Sequence, residues 1–543
     1  MKKNNPKFKI ATLFLTLSLG LFWFAKTSQA ASYYVDPSFT GGGNNGSETN
    51  PWTRLNQAAQ WDTIDNALAS DAVTVYLSAR QAQSDIAETT NIGIFLRRTD
   101  GSTNLLTING RSKYNVNDSI GSWLDYAGTN KFTVQTSGTA SGVYANLSGI
   151  YTKRNHITID GIKVITDHAG QSIYVGGDYF TITNCEVTQT TSGSTSGGGI
   201  GFGYAKTVSG DWYGSCSNVV ISNNYIHDVG GEGIYIGGCG NAPCAAAHNN
   251  ITISGNTIRD VGVDIGQPDG IDIKDGNSNI TVSNNTIYMT NVLAKQGDGI
   301  VTESAATIER NFIYNFPRSG IFLSEYWDTN IGYRNGPIIR NNIIVNTSGG
   351  YVSEGANGIT IYAVDGRDNW SNVKVYNNTI YGISGNPGNG IRFYSAGTDI
   401  TSGHEVVNNI IARCSGREFR SSAYFTFTTH DYNNYYDTSG TIYTYGSVSV
   451  AYDGNLAAQE TNSIKTDPLF LSTWPPYQAI NFKLQTGSSA IDAGTPLIGF
   501  FNDYVGLTRP IGVAWDIGAY EYVGATLPLD ITPPAPPSGV MIL

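Results

Sequence analysis

One short pattern recurs along this chain and restricts its fold more than any other feature. An apolar residue, a polar stretch centred on Asn and a closing Ile or Val occupy 182–187, 221–226, 253–258, 282–287, 308–313, 339–344, 375–380 and 406–411. Between successive copies lies a second pattern, a turn residue followed by Gly and an alternating apolar run. It reads Glu232-Gly-Ile-Tyr-Ile, Asp269-Gly-Ile-Asp-Ile, Asp298-Gly-Ile-Val, Ser319-Gly-Ile-Phe-Leu, Asn357-Gly-Ile-Thr-Ile and Asn389-Gly-Ile-Arg-Phe. Each copy thus supplies two short strands, and neither could bury its apolar face alone. Stacking the copies makes one continuous Ile and Val core, the logic of a solenoid. The spacing varies only in links rich in Gly, Ser, Asn and Asp, the residues of turns.

The second Asn of the pattern falls at 224, 256, 285, 311, 342, 378 and 409. On stacked turns these amides are expected to form a ladder, each bonding to its equivalent one turn on and to the backbone. A short polar side chain also tolerates the unusual backbone that such a corner requires. Composition agrees with strands and turns: Gly numbers 64 among 543 residues, charged residues are only 14% and hydrophobic ones 40%.

Residues 1–30 read as an export signal. Lys2, Lys3, Lys7 and Lys9 form a basic start, 10–24 are apolar, and Ser28-Gln29-Ala30 supplies small residues for cleavage after Ala30. The apolar run is short for a membrane span, and no other stretch approaches the ~20 apolar residues that spanning requires. A secreted, extracellular or periplasmic monomer without a membrane span is the expectation. Removing Lys2, Lys3, Lys7, Lys9 and Lys26 takes the formal charge from -11 to -16. Such a surface repels nucleic acid, and an acidic polysaccharide would need a bound cation or local Lys and Arg. Cys216, Cys239 and Cys244 are close enough for one disulfide, whereas Cys185 and Cys414 are open between buried thiols and bridges. None has metal-ligand spacing.

Residues 31–150 read as an N-terminal cap with irregular first turns, with strand-like pieces at 73–77 and 105–108. A helix is expected near 61–69, where Ile64 and Leu68 stand four residues apart. The repeats fill 151–440, a closing segment 441–524, and a Pro-rich, extended linker 525–543. The last residues, Gly539-Val-Met-Ile-Leu, read as the opening strand of a further module.

On these motifs the chain resembles the right-handed parallel β-helix proteins of pectate-lyase-like architecture. The repeats carry the resemblance from about 150 to 440. Asp467-Pro-Leu-Phe, Ser488-Ser-Ala-Ile-Asp-Ala-Gly, Arg509-Pro510 and Asp516-Ile-Gly-Ala-Tyr-Glu-Tyr extend it, being similar to the closing segment of many secreted bacterial β-helix proteins. The resemblance implies an all-β, right-handed parallel β-helix solenoid. That architecture hosts lyases, hydrolases, epimerases and non-catalytic adhesins, so activity has to be argued from a site.

The densest charge in this charge-poor chain is Asp269-Gly-Ile-Asp272-Ile-Lys274-Asp275. Aligning the Gly-Ile copies as neighbouring turns ~4.8 Å apart puts Glu232, Asp269 and Asp298 in an acidic column. The same alignment places Tyr235, Asp272, Val301, Phe322, Thr360 and Arg392 in a second column, with Lys274, Glu303, Tyr362 and Tyr394 in a third. Stacked carboxylates repel unless something positive lies between them, either Ca²⁺ or Lys274 itself. The bland alternative is turn chemistry with solvated acids.

Calcium-dependent polysaccharide lyases of this architecture combine an acidic Ca²⁺ cluster with a Lys or Arg base. Likeness to them implies Asp269, Asp272, Asp298 and Glu303 as metal ligands and Lys274 as catalytic base beside Asp272, with Lys295 or Arg318 as substitutes. Elimination from a uronate would follow, the cation stabilising the enolate that develops as the base removes a proton. Tyr235, Tyr326, Trp327, Tyr362 and Tyr394 are candidates to stack on sugar rings, and Arg392 to hold a substrate carboxylate. A glycosidase using Asp272 with Asp298 or Glu303 stays open, as does an adhesive surface protein. The acids that accompany the active His of polygalacturonases are not seen beside Gly403-His404-Glu405.

Overall fold

The computed structural model describes residues 30–524 except 38, 56–57, 79–85, 89–91, 96–101, 114–123, 126–130, 137–147, 153–154, 167–170, 190–197, 203–214, 239–246, 263–268, 291–296, 325–333, 348–354 and 367–368. The strands segregate into three sheets of 14, 12 and 13 strands. One circuit shows how. Asn249–Ser254 lies in the first sheet, Thr257–Val261 in the second and Ile271–Ile273 in the third, and Ser278–Ser283 then returns to the first beside Asn249–Ser254. Each sheet is a parallel ladder. Among the described residues the antiparallel exceptions are Thr441–Tyr445 with Val448–Ala451 and Leu106–Lys113 with Leu124–Asp125. This is the expected parallel β-helix.

Like residues stack on like. Ile221, Ile253, Val282, Ile308, Ile339, Val375 and Val406 are successive register partners, and all are fully buried. Each such side chain stabilises the fold by about 1.5–3 kcal/mol relative to exposure.

At the corner between first and second sheets the Asn ladder forms as expected. Asn256 Oδ1 accepts from the backbone N–H and the Nδ2 of Asn224, at 3.0 and 2.9 Å, and the pattern repeats through 285, 311, 342, 378 and 409. It continues to Asn433, which donates to Glu460. The strained backbone lies one residue earlier than the sequence suggested. Asn223, Asn284, Asn341, Asn377 and Asn408 have φ between 49 and 60°, joined by Gly255 and Arg310. The first Asn makes the left-handed corner, where its short side chain is tolerated, and the second makes the ladder.

The glycine of the Gly-Ile pattern is required by space. A Cβ on Gly270 would lie 2.4 Å from Ile287 Cγ2 in the second sheet and 2.5 Å from the Gly299 carbonyl. Second and third sheets therefore approach closely along this line, which fixes the strands that carry the acidic residues.

Strand pairing begins within the stretch read as an irregular cap: Ala31–Val35 runs parallel to Val73–Ser78 in the first sheet. The expected helix is Ala58–Leu68, and its Trp61, Ile64 and Leu68 join the main core. At the other end, residues 464–522 fold back over the outer face of the second sheet. There Phe470, Phe482, Leu484 and Ile517 pack with Phe312, Ile343, Val345 and Ile410. Arg509 anchors this segment, pairing with Glu521 and donating to the carbonyls of Gly518 and Ala519.

Cys185, Cys216 and Cys414 are free buried thiols. A bridge through Cys216 is thus not made; its sulfur accepts from the Gly177 N–H at 3.2 Å, and burial pushes its pKa up to about 11. Cys239 and Cys244 lie outside the described residues.

Candidate active site

The third sheet presents the column read from the Gly-Ile alignment. Tyr235, Asp272, Val301, Phe322, Thr360 and Arg392 are consecutive register partners, and the column continues to Arg420. Asp272 sits in Ile271–Ile273, where Ile271 and Ile273 turn inward and are fully buried. Alternation along the strand sends Asp272 and Lys274 the other way.

Three side chains meet there. Lys274 Nζ lies 2.8 Å from Asp272 Oδ2 and 3.6 Å from Glu303 Oε1. Both carboxyl groups are buried, with Asp272 and Glu303 each at 2% exposure. Asp272 Oδ1 and Glu303 Oε2 have no hydrogen-bond partner, a costly arrangement for buried oxygens. Burial raises the Glu303 pKa to about 8; Lys274 opposes the rise, while Asp272 and Asp275 add to it. Glu232 is raised to about 7, first by burial and then by Asp272. The Tyr235 ring centroid lies 5.9 Å from Lys274 Nζ, and Arg334 donates from Nε to the Glu303 carbonyl at 3.3 Å. Glu303 is therefore a proton-carrying acid beside a carboxylate that is ion-paired with an ammonium.

Asp269 and Asp298 differ from expectation. They precede Gly by one residue and so share parity with the inward isoleucines, whereas Asp272 has the opposite parity. Both are buried, and each caps the next turn: Asp269 Oδ1 accepts from the Asp298 N–H at 2.8 Å and Asp298 Oδ1 from the Ser319 N–H at 2.9 Å. Arg318 clasps both oxygens of Asp298 through Nε at 3.1 Å and through Nη2. Burial, followed by Asp298 and Asp272, holds the Asp269 pKa well above the usual carboxylate range.

Among the described residues no three His, Cys, Asp or Glu side chains are placed to hold a metal ion. The expected ligand set, Asp269, Asp272, Asp298 and Glu303, does not converge on one point. Arg318 and Lys274 supply the positive charge, so Ca²⁺ does not fit this donor set. Lys274, expected as the base, is instead engaged in an ion pair with Asp272.

Further along the sheet, Tyr362 and Tyr394 stack with centroids 5.5 Å apart, and the Arg392 guanidinium lies 4.3 Å from the centre of the Tyr394 ring. Tyr362 and Tyr394 thus stand together at the surface, with Arg392 mostly buried against them. Lys295, Tyr326 and Trp327 lie outside the described residues. His404 is buried, its Nε2 is 2.8 Å from Thr401 Oγ1, and burial lowers its pKa to about 4.

A family model described as a right-handed β-helix region matches residues 92–287, 142–365 and 212–411, which together span more than half of the chain. The chain belongs to the right-handed β-helix family. No curated protein matches this β-helix chain in sequence. Among solved structures it is similar to the catalytic unit of an α-1,3-glucanase from Streptomyces thermodiastaticus, at 14% identity and TM-score 0.44, covering 76% of this chain and 66% of that one. It is also similar to an alginate lyase from a Paenibacillus species, at 15% identity and TM-score 0.35, covering 62% and 91%. Pectate lyase Pel9A matches at 14% identity and TM-score 0.39, covering 91% and 97%.

Sequence reasoning missed three residues of this β-helix face. Arg334 precedes its strand in a link with no periodic signal. Arg420 and Arg417 stand one turn beyond the last Gly-Ile copy, where Glu418-Phe419 replaces Gly-Ile and hides the register. Burial and Arg417 both lower the Arg420 pKa, and neither an ion pair nor a hydrogen bond neutralises Arg420 among the described residues.

Proposed function

We propose that this protein is secreted and cleaves glycosidic bonds in an acidic, uronate-containing polysaccharide, with Glu303 as proton donor and Asp272 as the partner carboxylate. The observation that carries this reading is the buried pair itself, two carboxyls of different character around one ammonium, each with an unpaired oxygen. Glycoside hydrolysis needs one protonated carboxyl for the leaving oxygen and one carboxylate for the sugar carbon or an attacking water. Glu303 gives its proton to the glycosidic oxygen as the C–O bond breaks. Asp272 attacks the anomeric carbon or takes a proton from the incoming water. Lys274, 2.8 Å from Asp272 Oδ2, fixes the orientation of that carboxyl. Tyr235, Tyr362 and Tyr394 offer ring surface to sugars, and Arg392 with Arg420 offers positive charge to uronates in a chain that is acidic overall.

β-Elimination is the second reading, favoured by the cations beside the acids. Lys274 would neutralise the uronate carboxylate, and the unpaired Asp272 oxygen would take the proton next to it. A non-catalytic binding protein is the third.

Incubating the protein with pectate, alginate and glycosaminoglycans separates the three. Hydrolysis predicts new reducing ends without absorbance from unsaturated uronates, and elimination predicts both. Neither product would leave the binding role. EDTA is expected to leave the rate unchanged, and loss of activity restored by Ca²⁺ would contradict the donor-set argument. Export is checked by N-terminal sequencing of protein recovered outside the cell, where Ala31 is the expected first residue.

A further inference from the structure

A second site lies away from the third sheet, where the closing segment meets the corner between first and second sheets. A pocket of about 260 Å³ is lined there by Glu309, Arg310, Arg340, Phe500, Phe501 and Asn502, among others. Glu309 bonds both arginines, Oε1 accepting from Arg310 Nη2 at 2.8 Å and Oε2 from Arg340 Nε at 2.6 Å. One carboxylate between two guanidiniums leaves a positive charge over, in a chain whose formal charge is -11. Arg310 Nε is also buried without a hydrogen-bond partner, a donor in want of an acceptor.

The backbone adds a second, independent observation. Arg310 has φ 54°, at the corner position that Asn284 and Asn341 occupy on the adjoining turns with φ 57 and 52°. A long side chain in the left-handed region carries a steric cost that Asn largely avoids. Strain of this kind is retained where the side chain has work to do. Beside the arginines the pocket has an apolar wall: Arg340 lies 4.8 Å from the Phe500 ring centre, and the neighbouring Phe501 is 59% exposed. Surplus positive charge next to a bare aromatic ring suits a small ligand with a carboxylate at one end and a C–H face along its side.

We propose that this pocket binds a sugar acid, its carboxylate on Arg310 and Arg340 and its ring against Phe501. The site would hold a uronate residue of a polymer at a corner of the solenoid away from the third sheet that carries the cleavage chemistry. It uses none of the residues assigned to that chemistry, so either reading can fail without the other.

The test is titration of the full chain with D-galacturonate, D-glucuronate, D-glucose and acetate, followed by calorimetry or saturation-transfer NMR. At least one sugar acid is expected to bind, with glucose and acetate at least tenfold weaker. Arg310→Asn should weaken the sugar acid at least tenfold while the melting temperature holds or rises, since Asn suits the corner. Glu303→Gln should bind it like the parent, which separates the pocket from the third-sheet site. The proposal is overturned if neither sugar acid binds, if Arg310→Asn binds as well as the parent, or if acetate matches the sugar acids.

Discussion

Glu303 is the residue on which the chemistry turns. Its raised pKa, about 8, comes first from burial, so the folded protein keeps it protonated at neutral pH. A general acid loses function as it ionises, so kcat/KM for glycosidic cleavage should fall as pH rises through about 8. A flat profile up to pH 9, measured by initial rates, would contradict that role. The Gly-Ile register was enough to bring Asp272, Lys274 and Glu303 together from sequence, because their spacing from Gly has the parity of an outward face. The same register misled for Asp269 and Asp298, whose opposite parity turns them toward the next turn's backbone and Arg318. Arg334 could not be foreseen, since nothing in an aperiodic link says which turn its side chain will reach.

At the scale of the element, the corner and the glycine line do most to hold the strands in register. Asn311 Oδ1 accepts from both the N–H and the Nδ2 of Asn285. Asn311→Ala leaves the buried Asn285 N–H without an acceptor, at about 1–3 kcal/mol, while the Asn285 Nδ2 keeps only its bond to the Ile253 carbonyl. A lower denaturant midpoint is expected, whereas Asn284→Gly at the left-handed corner should stay within about 0.5 kcal/mol of the parent. A Cβ on Gly299 would meet Ile313 Cγ2 at 2.4 Å and the Gly320 carbonyl at 2.6 Å. Gly299→Ala is therefore expected to cost about 1–3 kcal/mol by overpacking, read from the same transition. The strands were legible because two periodic motifs alternate along the chain. The division of labour between the paired asparagines was not, because adjacent identical residues give no sign of which one bends the backbone.

Across the whole molecule, buried acids set the pH dependence of stability. Glu303, Glu418 and Glu460 are raised to about 8, and Glu232 and Asp516 to about 7, in each case chiefly by burial. Unfolded, such groups ionise near pH ~4, so the folded state binds more protons between these limits and stability falls as pH rises. Burial lowers His404 to about 4 and His430 to about 3, and their opposing effect ends near the ordinary histidine value of 6.5. Of these groups the carboxyls are the ones still titrating from pH 6.5 to 8, and the melting temperature should decline there; a rise would contradict these burial effects. The solenoid itself was legible from end to end of the repeats. The closing segment's place along the second sheet was not, because its contacts join residues more than a hundred positions apart, such as Asn341 with Asn502. The central claim is that Asp272 and Glu303 together perform glycosidic cleavage. Its most direct test is reducing-end release from acidic polysaccharides by the parent, Asp272→Asn and Glu303→Gln. Each variant is predicted to lose about 10²–10⁴ of the parent rate while melting as a folded protein. Full activity in either folded variant would contradict it.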